Sequence, residues 1–553
     1  MPVNSDPQPC RPNEDMPETN YHSLQEELNG HVFRHVGGFY EKYFKGKPWS
    51  AAANQIAQNM QPTVASSLIE RLLEIRSPES LSTWLATFES MLPSNEQTRY
   101  HLSSRQLGNS SEDQRVFNVH LVASGRAEVS SPTAAADARV FGEFSSKAST
   151  TRPKHVLRFC EGARQIFEAQ PARRFLHGFQ MCGSVMELWV FDRSGAFSSE
   201  EVDTAMTPDL LIETLASYAM MGDEEVGLNS FIKKDGLRSY VEFEGGEAER
   251  FYLEPELIAA PRYIVGPSTT CYVSRRLTSD KPNLVVKFAW REDKRHTELE
   301  FLTLTKERNV RGVIKVLGCQ DLESIEYLRR DLQFTQPYNF LQATADLNVA
   351  SKGDKVLTSR TFNENSDQPF INLSPPNDEY EKGALIDLDG SLDLEKGLAR
   401  RGELVGSEGF MAIGILGGDP HTYRHDLESL LYVFLWVAIC NNHDYDGGQE
   451  SLRDQPKTSR LWGWCSMDFR SVRQNKTIDM RPDGFPQFLE EFSVEFKHLE
   501  GLARELKELV FPLRGGEIFM GTDMDQSDVN RLYNGMIDAF NRSIASEADR
   551  EDF

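Results

Sequence analysis

At 553 residues, with 39% hydrophobic and 26% charged content, the chain has ordinary globular composition and exceeds a single core, so two or three domains are expected. Its formal charge of -24, from 60 Lys+Arg against 84 Asp+Glu, argues against a broad nucleic-acid interface. The seven scattered cysteines form no CxxC pair, and the most apolar run, LESLLYVFLWVAIC (427–440), has 14 residues, short of the ~20 of a spanning helix. Neither a zinc site, a disulfide framework nor a membrane span is expected. The N-terminus, MPVNSDPQPCRPNEDMPETN, lacks the apolar core of a secretory signal, so a cytoplasmic or nuclear location is expected.

Residues 1–22, rich in Pro, Asn and acids, are expected to be a disordered tail. An N-terminal α/β domain is expected over 23–250. VASSLIERLLEI (64–75) places Leu68, Leu72 and Ile75 on one helix face, and FNVHLVA and ARVFGEF read as strands. PKHVLRFCEGARQIFEAQ (153–170) reads as an amphipathic helix, and FLHGFQMCGSVMELWVFDRSG (175–195) as a hairpin. A second unit over 258–340 opens with three strands in PRYIVGPSTTCYVSRRL and NLVVKFAW, followed by a helix at 294–308. Residues 341–383 show no helical period and carry polar clusters such as NENSDQP, so an irregular insert is expected. From 384 to 545 the pattern turns helical, with Phe488, Phe492, Phe496, Leu499, Leu502 and Leu506 on a core-facing stripe.

Phosphoryl transfer from ATP needs a lid over the phosphates, a cation to orient them and an acid to hold magnesium. IVGPSTTCYV matches the phosphate-lid pattern G-x-G-x-x-G-x-V at Gly266 and Val273, with Ser268 and Cys271 at the other glycine positions. Lys287 ends the apolar run LVVK, and the following helix offers Glu298 and Glu300 as its partner. Glu300 is the favoured one, because Leu299 and Leu302 read as core neighbours beside it. In ALIDLDGSLDL (384–394) a short apolar strand runs into Asp387, which is either a turn residue or a metal ligand. Asp426, in HTYRHDLES, stands at the start of a helix apolar nearly all round, where it suits an N-terminal cap.

HTYRHDLES, FMAI (410–413) and ALIDLD, with FDRSGAFSSEEVD (191–203) and SYAMMGDEEVGLN (217–229), resemble the fungal-type protein kinase family across roughly residues 140–515. The resemblance implies an α+β chain: the N-terminal α/β domain, then a bilobal protein-kinase-like domain with a β-rich small lobe and a helical large lobe. It implies ATP and magnesium as cofactors, protein Ser/Thr hydroxyls as acceptors, and a protein substrate or binding partner. Lys287 would orient the phosphates with Glu300 as its partner, under a lid that includes Gly266, Ser268 and Val273. Asp387 would hold the magnesium, with Asp389 where most kinases have glycine. Asp426 would hydrogen-bond the catalytic loop, and 390–410 would be the activation segment.

The pattern breaks where a kinase needs H-R-D-x-x-x-x-N, for the Asp that orients the substrate hydroxyl and the Asn that holds a second magnesium. Neither that loop nor the apolar helix before it occurs between Phe340 and Ala384, so the large lobe is incomplete. RRDLQFTQ (329–336) imitates the motif, yet Asp331 lies only 44 residues after Lys287 (331 − 287), too few to enter a large lobe. YRHD has the letters in another order. Both are expected to be structural. Gly414 stands where the family has a glutamate pinning the activation segment, so a looser segment is expected. Three functions compete: a Ser/Thr-type kinase of this family with catalysis in doubt, a pseudokinase scaffold with weak or no nucleotide binding, and a degenerate nuclease-like N-terminal domain. The last rests on Glu143 in VFGEFSSK, an acid followed by Ser145 and an out-of-step Lys147, for which a solvent-facing strand position is expected. An omitted coding segment within 341–383 would account for the missing loop equally well.

Overall fold

The structure is a computed structural model. It describes residues 24–92, 98–103, 116–123, 135–145, 153–243, 249–266, 268–276, 284–292, 298–310, 312–340, 365–373, 406, 409–440, 459–465 and 468–551. The chain divides into two compact units, 1–386 and 387–553. No described helix is long and apolar enough to cross a membrane.

The first sheet contains β1 (Val32–Phe33), β2 (Thr98–Ser103), β3 (Val116–Ala123), β4 (Ala138–Ser145), β5 (Phe175–Cys182), β6 (Val185–Asp192), β7 (Gly195–Ser198) and β8 (Val202–Asp203). Its order is β1-β7-β6-β5-β4-β3-β2, with β8 paired to β6. The β4–β5 and β1–β7 pairs are parallel and the remaining ladders antiparallel, so the sheet is mixed. A parallel pair cannot be joined by a tight turn, and the helix Pro153–Ala169 makes the crossover from β4 to β5.

The helices that cover this sheet include α1 (Pro62–Leu73), α2 (Pro78–Glu89), α3 (Pro153–Ala169) and α4 (Pro208–Met220). α2 starts at a capping box in which the Ser77 hydroxyl accepts from the Ser80 amide, with Pro78 in the first turn. Val156, Phe159, Cys160, Ala163, Ile166 and Phe167 recur every three or four residues along α3 and are all buried on one face of the sheet. Leu68, Ile69, Trp84, Leu85, Leu211 and Leu215, from α1, α2 and α4, pack on the opposite face. Covered on both sides, β5 and β6 read as nearly continuous apolar strands rather than alternating ones.

The second sheet is antiparallel: β9 (Lys233–Asp235), β10 (Arg238–Glu242), β11 (Arg250–Ala259), β12 (Thr270–Arg276), β13 (Leu284–Glu292), β14 (Lys315–Cys319), β15 (Glu323–Ser324) and β16 (Asn365–Leu373). Its order is β14-β16-β13-β12-β11-β10-β9, with β15 paired to β16. α5 (Glu298–Glu307) follows β13. Three boundaries differ from the sequence reading. Strands β9 and β10 lie before residue 250 yet belong to the second sheet. The strand before the lid is β11, whereas residues 262–266 are not strand. Nine residues of the stretch expected to be irregular form β16, which pairs with β13 from Leu284–Leu373 to Glu292–Asn365.

The unit 387–553 is helical, with α6 (Tyr423–Cys440), α7 (Phe469–Asp479) and α8 (Glu500–Val510) among its elements. Leu431, Leu435 and Ile439 of α6 pack with Trp464, Phe488, Leu502 and Leu506 in one core. The apolar stripe of 488–506 is interrupted: a helix over Phe485–Leu489, a 3-10 turn over Val494–Leu499, then α8.

Candidate functional site

Lys287 lies in the middle of β13, not at its end, opposite Cys271 of β12 and Phe370 of β16. Its side chain is 4% exposed, and Nζ donates to Glu298 Oε2 at 2.8 Å. Glu298 is the first residue of α5 and is itself fully buried. The buried face of α5 carries Glu298, Phe301 and Leu302, a three- and four-residue spacing that turns Glu300 and Leu299 outward. The preference for Glu300 is therefore corrected: the carboxylate on Lys287 is Glu298. The cue was present in the sequence, because Phe301 and Leu302 mark the inner face better than Leu299 does.

The lid connects the antiparallel strands β11 and β12. Gly266 has φ +140°, where an added Cβ would stand 2.9 Å from the Tyr263 ring. Ser268 adopts φ +46°, is 2% exposed, and its hydroxyl has no hydrogen-bond partner among the described residues. Val273 sits on β12 across from Val285. Positive φ at two positions and an orphaned hydroxyl suit a backbone shaped to approach an anion. These features and the buried lysine fit the phosphates of a nucleotide. Asp387, the expected magnesium ligand, lies outside the described residues, as do all of ALIDLDGSLDL and the expected activation segment up to 405. Among the described residues no cluster of three or more His, Cys, Asp or Glu side chains could hold a metal ion.

RRDLQFTQ is a strap on the first sheet. Arg329 forms two hydrogen bonds with Asp192 at 2.8 and 2.7 Å, Gln333 pairs with Gly37, and the Phe334 ring meets Phe33 and Phe197. Asp331 is exposed at φ +69°. The structural reading of this stretch agrees with that placement. In α6, Asp426 is in the first turn with its side chain 68% exposed, accepting from His421 Nε2 at 2.8 Å.

The segment before Gly414 is held at several points. Glu428 accepts the Ile413 amide at 2.6 Å, the Arg424 guanidinium at 2.8 Å and the Tyr432 hydroxyl at 2.7 Å. Lys476, on α7, donates to the Gly409 and Met411 carbonyls at 2.8 Å each. A Cβ on residue 414 would lie 2.5 Å from His425 Nε2, so a larger residue needs a rearrangement there. Buried side chains of α6 and α7 thus fix residues 409–413 without an acid at 414, while residues 390–405 of the segment expected to loosen lie outside the described residues.

Glu143 also departs from expectation. It is 1% exposed, not solvent-facing, and accepts from Arg158 Nε and Nη2 at 3.0 and 2.8 Å and from Gln180 Nε2 at 2.9 Å. Arg158 is fifteen residues on (158 − 143), one strand end and one helix turn away, a pairing that no local pattern signals. A guanidinium fills the place beside this carboxylate. Arg158→Met is expected to destabilise the protein by about 3–5 kcal/mol, because it leaves a buried carboxylate uncompensated. Urea unfolding of Arg158→Met beside the double variant Glu143→Gln/Arg158→Met measures this, with the double variant regaining much of the loss. Equal stability of wild type and Arg158→Met would contradict it.

The family model described as fungal protein kinase matches residues 117–374 and again 370–438. The span 117–438 is 322 residues (438 − 117 + 1) of the 553, more than half the chain. No curated protein matches the chain. The match takes in nearly all of β3 and the elements through β16, together with most of α6. The chain belongs to the fungal protein kinase family.

Proposed function

We propose that this chain is a nucleotide-binding pseudokinase, a family member that holds ATP or ADP without transferring phosphate to a protein hydroxyl. In this reading the second sheet with α5 is the small lobe and 387–553 is the remainder of the large lobe. Lys287, held by Glu298, orients the phosphates, Gly266 and Ser268 line the lid, and Asp387 is the magnesium ligand. Bound ATP would supply the transferable phosphoryl group. The chain's own residues bind and orient it, and none supplies the aspartate that positions an acceptor hydroxyl.

One observation carries the reading. β16 closes the sheet between β13 and β14 and ends at Leu373. Only ten residues, SPPNDEYEKG (383 − 373), separate it from the Ala384 that opens ALIDLD. The H-R-D-x-x-x-x-N motif alone takes eight positions, and a packed helix before it needs roughly ten more. The two stretches matched by the family model also meet there, at 370–374.

The test is a pair of measurements on the full chain. ADP with magnesium should raise the unfolding temperature, by mass action on the folded state. No γ-phosphate should reach any protein acceptor at any magnesium concentration. Transfer that vanishes in Asp387→Ala would overturn the pseudokinase reading in favour of an active kinase. A transcript with an extra in-frame segment between Leu373 and Ala384 would identify the present chain as the inactive form of such an enzyme. A degenerate nuclease-like N-terminal domain is the weaker reading, because the Arg158 guanidinium already pairs with the buried Glu143 carboxylate. Metal-dependent DNA cleavage lost in Glu143→Ala would turn it into an activity.

A further inference from the structure

The five residues that lead into the lid, Arg262 to Gly266, each form one backbone hydrogen bond with the N-terminal domain. Arg164 Nη1 donates to the Arg262 carbonyl at 3.0 Å, and Arg193 Nη1 to the Tyr263 carbonyl at 3.0 Å. The Ile264 and Val265 amides both donate to Glu27 Oε1, at 2.6 and 3.0 Å. The Gly266 amide donates to the Arg193 carbonyl at 3.2 Å. Ile264 is buried in the same core as Leu24, Leu28, Phe141 and Trp189.

The clamp itself is rigidly seated. Arg193 is fully buried, donates also to the Pro171 carbonyl at 2.7 Å, and lies 4.2 Å over the Phe167 ring. Arg164 is tied to Glu161 and Glu168 on its own helix. A phosphate lid in a hairpin usually relies on its own glycines for its shape. Here Ser268 and Cys271 replace two of them, and an external frame fixes the approach to the loop instead.

We propose that the N-terminal domain is the positioning frame of the nucleotide lid, with Glu27 as the residue that locks Ile264 and Val265 and so sets nucleotide affinity from outside the small lobe. The proposal rests on the nucleotide-binding reading above. Its physical basis is preorganisation: a loop already ordered in its binding shape costs less to order on binding. Glu27 is a positioning residue, since it touches the backbone of the lid's entry and not the phosphates' own partners Lys287 and Ser268.

The experiment uses the full chain as wild type, Glu27→Ala and Glu27→Gln. Amide hydrogen exchange without nucleotide reads the clamp, and ADP–magnesium titration reads affinity. In Glu27→Ala, exchange across 262–269 should quicken about tenfold or more and ADP affinity should fall about tenfold, two amides having lost their acceptor. Glu27→Gln keeps an acceptor oxygen and should restore both toward wild type. Exchange unchanged in Glu27→Ala overturns the clamp, whatever the nucleotide does. Faster exchange with unchanged ADP affinity overturns the link to binding. A wild type that binds no ADP sinks the nucleotide reading and the affinity part with it, while the exchange comparison still decides the clamp.

Discussion

Lys287→Met should lower the stability of the 1–386 unit by about 3–5 kcal/mol and abolish the ADP-induced rise in unfolding temperature. The two effects have different causes and separate in a double variant. The stability loss arises because Glu298, with no exposed side-chain surface, is left as a buried carboxylate without its ammonium partner. Replacing both members by apolar residues of similar volume removes the unpaired charge as well, a change that is often neutral or stabilising. Lys287→Met/Glu298→Leu should therefore regain most of the stability while showing no response to ADP. If the ion pair served the fold alone, the ADP response would survive in the double variant. Glu300→Ala is the internal control: on the outer face of α5 it should change stability by less than about 0.5 kcal/mol. A Glu300→Ala loss as large as that of Glu298→Ala would refute the assignment of the pair.

The parts of the fold that were legible were those with an unbroken period. Val156 through Phe167 announced α3, the 175–192 hairpin showed as two apolar runs around a Gly, and the apolar 427–440 run marked a buried helix. β16 was hidden because NSDQPFINL is polar at its start and has Pro369 inside, which normally argues against a central strand. Pro369 stands opposite Phe288 in the β13 ladder, while on the other side the rungs to β14 use 370–373 and those to β15 use 366–367, leaving position 369 without a rung there. Long-range pairing decided this strand, not local propensity. The same holds for buried charge. Glu143 needed Arg158, and Ile413 needed Glu428, partners fixed by packing and invisible to a reading of neighbours along the chain. Lys287 was legible as a residue, but its partner required choosing the inner face of a ten-residue helix whose outer face is also partly apolar.

Raising the pH from 7 to 10 should stabilise the 387–553 unit through Lys476, and Lys476→Met should remove that gain. The Lys476 side chain is fully buried, with Nζ between two carbonyls, 4.0 Å from the Tyr432 ring centroid and 5.0 Å from that of Trp464. Burial pushes its ammonium down to about 7, with the Glu428 carboxylate acting in the opposite direction. In the unfolded chain the same group holds its proton to about 10.4. Between those values the unfolded state binds the proton that the folded state has released, so unfolding becomes harder as pH rises. Below pH 7 both states are protonated and the slope from this residue disappears. A difference of about three pKa units corresponds to a gain on the order of 3–5 kcal/mol across the window. Lys476→Met forfeits hydrogen bonds to the Gly409 and Met411 carbonyls, worth about 1–3 kcal/mol each when left unmade, so it should be the less stable protein at pH 10. That deficit should shrink toward pH 7, where the wild type carries the cost of its buried charge. Urea unfolding followed by tryptophan fluorescence at pH 7, 8.5 and 10 gives both curves, and other groups titrating in the window cancel in their difference. Limited proteolysis should cut Lys476→Met near 409–413 faster than wild type at every pH, since the clip on that segment is gone. Parallel stability curves for the two proteins would show that Lys476 keeps its proton in the folded state, and that the segment is clipped by a permanent ammonium.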